Sequence, residues 1–160
     1  MSSNIEQNTL LTIDNLQISK SQVVVVYTEW NESIVQELKN GVYDVMTQHP
    51  EVELQEIAVP GCIEIPFAVQ QIYKKSKPDA FIALGCVIKG ETPHFDYVCQ
   101  SITQGITHLN TQQSSPIVFG VLTVNNLQQA IDRIGGKDGH KGQEAAITAL
   151  KMLHLKQNII

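Results

Sequence analysis

The sequence predicts an α/β fold, a single domain of three layers (α/β/α) around a central parallel four-stranded sheet. Two observations carry that prediction. First, β-branched or apolar runs alternate with segments whose apolar residues recur at helical spacing, and strands joined by helices run parallel through right-handed crossovers. Second, Ala80 to Ile88 is apolar nearly throughout, as a strand covered on both faces must be. At 160 residues the chain suits one domain with one core.

Each element has its own signal. Val23 to Tyr27 is the first strand; Ile34, Leu38, Val42, Val45 and Met46 then mark a helix with Asn31 or Ser33 as its cap. Glu51 to Val59 reads as the second strand. Pro66 opens a helix carrying Phe67, Val69, Ile72 and Tyr73, with Lys74 and Lys75 near its end. The third strand, Ala80 to Ile88, leads to a helix from about Pro93 with Val98, Ile102, Ile106 and Leu109 inward. The fourth, Pro116 to Thr123, leads to a helix from about Asn126 to Ile134. Gly135 to Gly142 reads as a loop, and Glu144 to Leu155 as a final helix packing through Ala145, Ala146, Ala149, Leu150 and Leu153. Residues 1 to 8 read as a flexible N-terminal segment ahead of a domain spanning 9 to 160.

Composition excludes several functions. A net charge of −5, with 17% charged residues, gives no basic footprint for nucleic-acid phosphates. The apolar runs fall well short of the roughly 20 residues of a membrane span, and Met1 to Asn8 lack the pattern of a signal peptide. A soluble, cytoplasmic protein is expected. Cys62, Cys86 and Cys99 show no Cys-x-x-Cys spacing, and the five histidines show no His-x-x-x-His pattern, so neither disulfides nor a metal is expected.

Parallel strands release their carboxyl ends on one edge, where ligands of such sheets collect. After the first strand comes Trp30, which either packs its loop or offers a face to a planar ligand. After the second, Pro60-Gly61 turns the chain, and Glu64 is either a carboxylate for hydroxyl and N–H groups or a charge for a helix dipole. After the third, Gly90 allows close backbone approach, Thr92 offers a hydroxyl and an N–H, and Pro93 places His94 in the first turn of a helix. That assembly can hold an anion beside an acid–base group. Cys86 is either a small core residue or a thiolate with His94 as its base. Arg133 to Gly142 holds Arg133, Lys137 and Lys141 among four glycines. It does not match the nucleotide-binding Gly-x4-Gly-Lys-Ser/Thr loop; Arg133 either complements a helix dipole or grips an anion with its bidentate fork.

Five segments together resemble 6,7-dimethyl-8-ribityllumazine synthase: Trp30-Asn31, Val59-Pro-Gly-Cys-Ile-Glu-Ile-Pro66, Leu84-Gly-Cys-Val-Ile-Lys-Gly-Glu-Thr-Pro-His-Phe-Asp-Tyr97, Phe119-Gly-Val-Leu-Thr123 and Arg133-x-Gly-x-Lys-x-Gly-x-Lys-Gly142. They occur in the family's order and spacing over about residues 20 to 155. The resemblance implies a flavodoxin-like fold and the penultimate step of riboflavin synthesis. In that step 5-amino-6-(D-ribitylamino)uracil condenses with 3,4-dihydroxy-2-butanone 4-phosphate, with loss of phosphate and water and without a cofactor.

The resemblance also implies residue roles. Trp30 stacks on the pyrimidine and Asn31 supports its loop; Cys62, Ile63 and Glu64 line the ribityl chain and ring. Cys86, Val87 and Ile88 meet the pyrimidine edge through backbone groups. Glu91 and Thr92 hold the phosphate, His94 transfers protons, and Phe119 and Arg133 reach in from a neighbouring subunit, Arg133 as phosphate clamp with Lys141 in support. Ile63 stands where the family often has an aromatic, and Glu91 where many relatives have a small residue. Partners implied are further copies of the chain, as a homopentamer with shared sites and an icosahedral assembly of pentamers, together with riboflavin synthase. The N-terminal segment is expected to add to a neighbour's sheet. A non-catalytic lumazine- or flavin-binding homologue, or a purely shell-forming one, is the alternative; the pairing of His94 and Thr92 with Arg133 argues for the enzyme.

Overall fold

The computed structural model describes residues 12–158, so the expectation for residues 1 to 8 lies outside the described chain. Strands β1 (Ser21–Thr28), β2 (Val52–Val59), β3 (Ala80–Ile88) and β4 (Ile117–Val124) form one parallel sheet in the order β2-β1-β3-β4. Helices α1 (Glu32–Met46), α2 (Ile65–Ser76), α3 (His94–Gln112), α4 (Leu127–Ile131) and α5 (Lys141–Asn158) cover its faces, and a 3-10 turn, Cys62–Glu64, precedes α2.

The valine run of β1 divides between two cores because successive strand side chains point to opposite faces. Val23 and Val25 join Ile82, Leu84, Leu122 and the inner faces of α1 and α5; Val24 and Val26 join Phe81, Ala83, Val121 and the inner faces of α2 and α3. The result is the predicted three-layer α/β/α domain. α1 and α5 approach so closely at Gly142 that a Cβ there would strike the Leu38 carbonyl.

Strand ends shift by one or two residues from the sequence reading, and the larger differences lie between Asn126 and Glu144. The fourth helix stops at Ile131, not near Ile134, and Asp132 caps it. The chain then forms an antiparallel hairpin, β5 (Ile134–Gly136) and β6 (Gly139–His140), where a loop was expected, and α5 starts at Lys141, not Glu144. Gly135 (φ 111°) and Gly139 (φ 82°) take backbone angles that side chains resist, and the Asp138 N–H donates to the Asp132 carbonyl over 2.8 Å. Glycines at these turns hide the hairpin from any apolar-periodicity reading.

The chain leaves β1 for β2 on one side and returns as β3 on the other, so the exits of β1 and β3 diverge into a crevice, the usual ligand position in an open α/β sheet.

Candidate active site

A cavity of about 390 Å³ opens in that crevice. The loop after β1 forms one wall. The Glu29 and Trp30 N–H groups donate to the carbonyls of Val59 and Pro60 (2.9 and 3.3 Å), and the Thr28 hydroxyl donates to the Trp30 carbonyl (3.2 Å). The Trp30 backbone is thus fixed while the residue as a whole stays 74% exposed, lining the cavity without being packed into the loop. Asn31 adopts a left-handed conformation (φ 58°, ψ 43°) at the start of α1 without capping it through its side chain. Its amide instead donates to the Cys86 carbonyl over 2.8 Å, bridging β1 and β3. Asparagine tolerates this conformation better than most residues do.

The second wall is the turn after β2. Gly61, Cys62, Ile63 and Glu64 line the cavity. Glu64 makes no side-chain cap to α2; its carboxylate turns back over Gly61, where an added Cβ would lie 3.1 Å from Oε2. Glu64 thus lines the cavity while standing at the N-terminus of α2, so it serves either reading.

The third wall is the end of β3, with Cys86, Val87 and Ile88, followed by His94 and Val98 on α3. His94 begins α3, as the Pro93 signal predicts. Gly90 borders open space, since a Cβ there would meet nothing within 4 Å. Glu91 and Thr92 are exposed between Gly90 and the helix, and the Lys89 ammonium lies 6.0 Å from the centroid of the Phe95 ring. Gly61 and Val98 join the lining without having been picked out as site residues: Gly61 reads as a turn and Val98 as a helix core position.

The thiols are poor nucleophiles. Burial, with the neighbouring Cys86, Cys99 and Glu64, pushes Cys62 up to about 12, although a backbone hydrogen bond with Cys86 works the other way. Burial pushes Cys86 up to about 11. Cys86 belongs to the core between the sheet and α1, so the thiolate reading of Cys86 gives way to the packing one. Among the described residues no group of three or more His, Cys, Asp or Glu is placed to hold a metal, and no helix is long and apolar enough to cross a membrane.

The fold therefore brings together Trp30, Asn31, Cys62, Ile63, Glu64, Cys86, Val87, Ile88 and His94. Phe119 lies apart, half-exposed on edge strand β4. Arg133, also apart from the cavity lining, precedes the hairpin; its Nη1 donates to the Gln129 carbonyl (2.8 Å) and pairs with Asp138 (3.1 Å). Lys141 holds both carboxylate oxygens of Glu144 at 2.8 Å.

The chain also matches a known protein family over most of its length. The family described as 6,7-dimethyl-8-ribityllumazine synthase matches residues 20–157. The chain belongs to that family. It is 48% identical over 131 residues to the 6,7-dimethyl-8-ribityllumazine synthase of Cytophaga hutchinsonii, covering 81% of this chain and 82% of the relative. It is 44% identical over 137 residues to the synthase of that name from Phocaeicola vulgatus, covering 84% and 82%. With the one from Flavobacterium psychrophilum the match runs over 157 residues at 41% identity, covering 97% and 80%. As a member of the lumazine synthase family the chain is an enzyme of riboflavin biosynthesis, a transferase that forms the lumazine by condensation.

Proposed function

We propose that the crevice between β1 and β3 is where 5-amino-6-(D-ribitylamino)uracil meets 3,4-dihydroxy-2-butanone 4-phosphate. The observation that carries this reading is the convergence of Trp30, Glu64 and His94 on one cavity at the switch point of the sheet. Trp30 stacks on the pyrimidine. Asn31 braces its loop, and the backbone of Cys86, Val87 and Ile88 reads the ring edge. Cys62 and Ile63 line the ribityl chain, and Glu64 accepts from its hydroxyls. The N–H groups of Glu91 and Thr92, just ahead of α3, hold the phosphate, with the Glu91 carboxylate turned to solvent.

The chemistry needs proton transfers more than it needs a nucleophile. The 5-amino group forms an imine with the ketone and loses water. A C–H proton is then removed as phosphate departs, and the ribitylamino nitrogen closes the ring with loss of a second water. One imidazole, that of His94, serves these transfers in turn, and the cavity supplies orientation.

The enzyme works as a homopentamer with sites shared between copies, and the pentamers assemble into an icosahedral shell in the cytoplasm. The support is physical: Phe67, Tyr97 and Phe119 are large and exposed on one chain, and covering them against further copies removes apolar area from water. Phe119 and Arg133, away from their own chain's cavity, serve a neighbour's, with Arg133 as the phosphate clamp and Lys141 in support. Light scattering gives the assembly size, and pentamers alone would overturn the shell.

The function is tested by mixing purified protein with both substrates and following lumazine absorbance beside phosphate release. Equal formation of the two products supports the reading, and binding without turnover would overturn it.

A further inference from the structure

His140 has no part in the proposed chemistry, yet its ring occupies a singular place. It pairs with Ile134 across the hairpin, and the adjacent Lys141 N–H donates to the Arg133 carbonyl over 2.8 Å. The Arg133 backbone is therefore fixed to the His140–Lys141 unit. The His140 ring lies on α1 at Gly41, where any side chain would strike it. Its Nδ1 is buried and takes no hydrogen-bond partner among the described residues. Shape holds the ring there, with no polar bond at that nitrogen. One turn earlier on α1, the Leu38 carbonyl meets Gly142, so residues 140 and 142 seat the end of the hairpin on one helical face. The polar ties of Arg133, to Gln129 and Asp138, remain within α4 and the hairpin and travel with them.

We propose that His140 is a positioning residue for the phosphorylated substrate: its ring, seated on Gly41, sets how the Arg133 hairpin stands on the body of the domain. The proposal rests on the reading of Arg133 as the phosphate clamp. A hairpin displaced by a fraction of a side chain misplaces the guanidinium and weakens its bidentate hold on the phosphate of the bound substrate. The uracil cavity, built from the β1 and β3 exits, is untouched.

The test is steady-state kinetics on the assembled, full-length enzyme, each substrate varied in turn, with melting curves and light scattering on every variant. His140→Ala removes the ring. Gly41→Ala displaces it with the histidine retained, so the outcome does not hang on one variant folding. Both are expected to raise KM for the butanone phosphate about three- to tenfold, with kcat and the uracil KM within about twofold of wild type. His140→Phe keeps a flat ring and loses no bond at Nδ1, so its KM stays within about twofold of wild type. A His140→Ala enzyme with wild-type KM, one with both KM values raised alike, or a Phe variant as impaired as the Ala variant would each overturn the positioning role. Arg133→Ala, measured in parallel, separates the two readings. An unchanged KM there overturns the clamp itself, whereas a raised KM there beside an unchanged one in His140→Ala overturns the positioning role alone.

Discussion

The Asn31 amide donates to the Cys86 carbonyl over 2.8 Å and so ties the exit of β1 to the end of β3 at the mouth of the cavity. Asn31 holds this bond from a left-handed backbone conformation, which separates two costs. Asn31→Ala loses the bond and suffers the conformation, for an expected loss of about 1–3 kcal/mol. Asn31→Gly loses the bond alone and is expected to be more stable than the Ala variant by about 1 kcal/mol. Denaturant midpoints measure both; equal losses would show that the conformation carries no strain.

The two cavity cysteines should stay unmodified. With Cys62 pushed up to about 12 and Cys86 up to about 11 by burial, thiolate is scarce at pH 8. Iodoacetamide on the native enzyme is expected to label Cys99 ahead of either, since Cys99 is only partly buried, and to leave turnover intact. Peptide mapping that finds Cys86 labelled first would return the thiolate to consideration.

Two glycines separate folding from function. At Gly85 a Cβ would lie 2.7 Å from the Cys62 sulfur and 3.2 Å from Thr28 Cγ2, so Gly85→Ala should destabilise by about 1–3 kcal/mol. At Gly90 a Cβ meets nothing, so Gly90→Ala should leave the melting temperature unchanged or slightly raised. The same methyl intrudes where the phosphate is proposed to lie, and KM for the phosphorylated substrate should rise about three- to tenfold. Wild-type kinetics in Gly90→Ala would place the phosphate elsewhere.

The hairpin should loosen in acid. Hydrogen bonds from Gln128 and then Lys137 hold the Asp132 carboxyl below its usual range, and Lys137 Nζ lies 3.0 Å from Asp132 Oδ2. A carboxyl whose folded value is depressed stabilises the fold fully above its unfolded value, near 3.9, and loses that contribution as pH falls through the folded one. Wild type should therefore melt higher than Asp132→Asn at pH 6, with the gap closing toward pH 3. A gap independent of pH would assign the stabilisation to packing.

Legibility followed periodicity. The valines of β1 and the unbroken apolar run of β3 have one physical use, burial on both faces, and the apolar run coincides with β3 residue for residue, Ala80–Ile88. The hairpin was not legible, because its strands are three and two residues long and Gly135, Gly136 and Gly139 carry no hydrophobic signal. Asn31 or Ser33 is the expected cap, and Asn31 does take the N-cap position, but its amide goes to the Cys86 carbonyl, 55 residues away, and no local pattern reports such a partner. Trp30, Glu64 and His94 are legible as neighbours around one cavity because parallel topology gathers strand exits. Gly61 and Val98 were not, since one served a turn and the other a helix face equally well.

If His94 moves the protons of the condensation, its removal shows in kcat of His94→Ala. The expected result is a fall of about ten- to a thousandfold, with both KM values within about threefold of wild type, because the cavity still holds the reactants together. Wild-type kcat in a folded, assembled His94→Ala enzyme would contradict it.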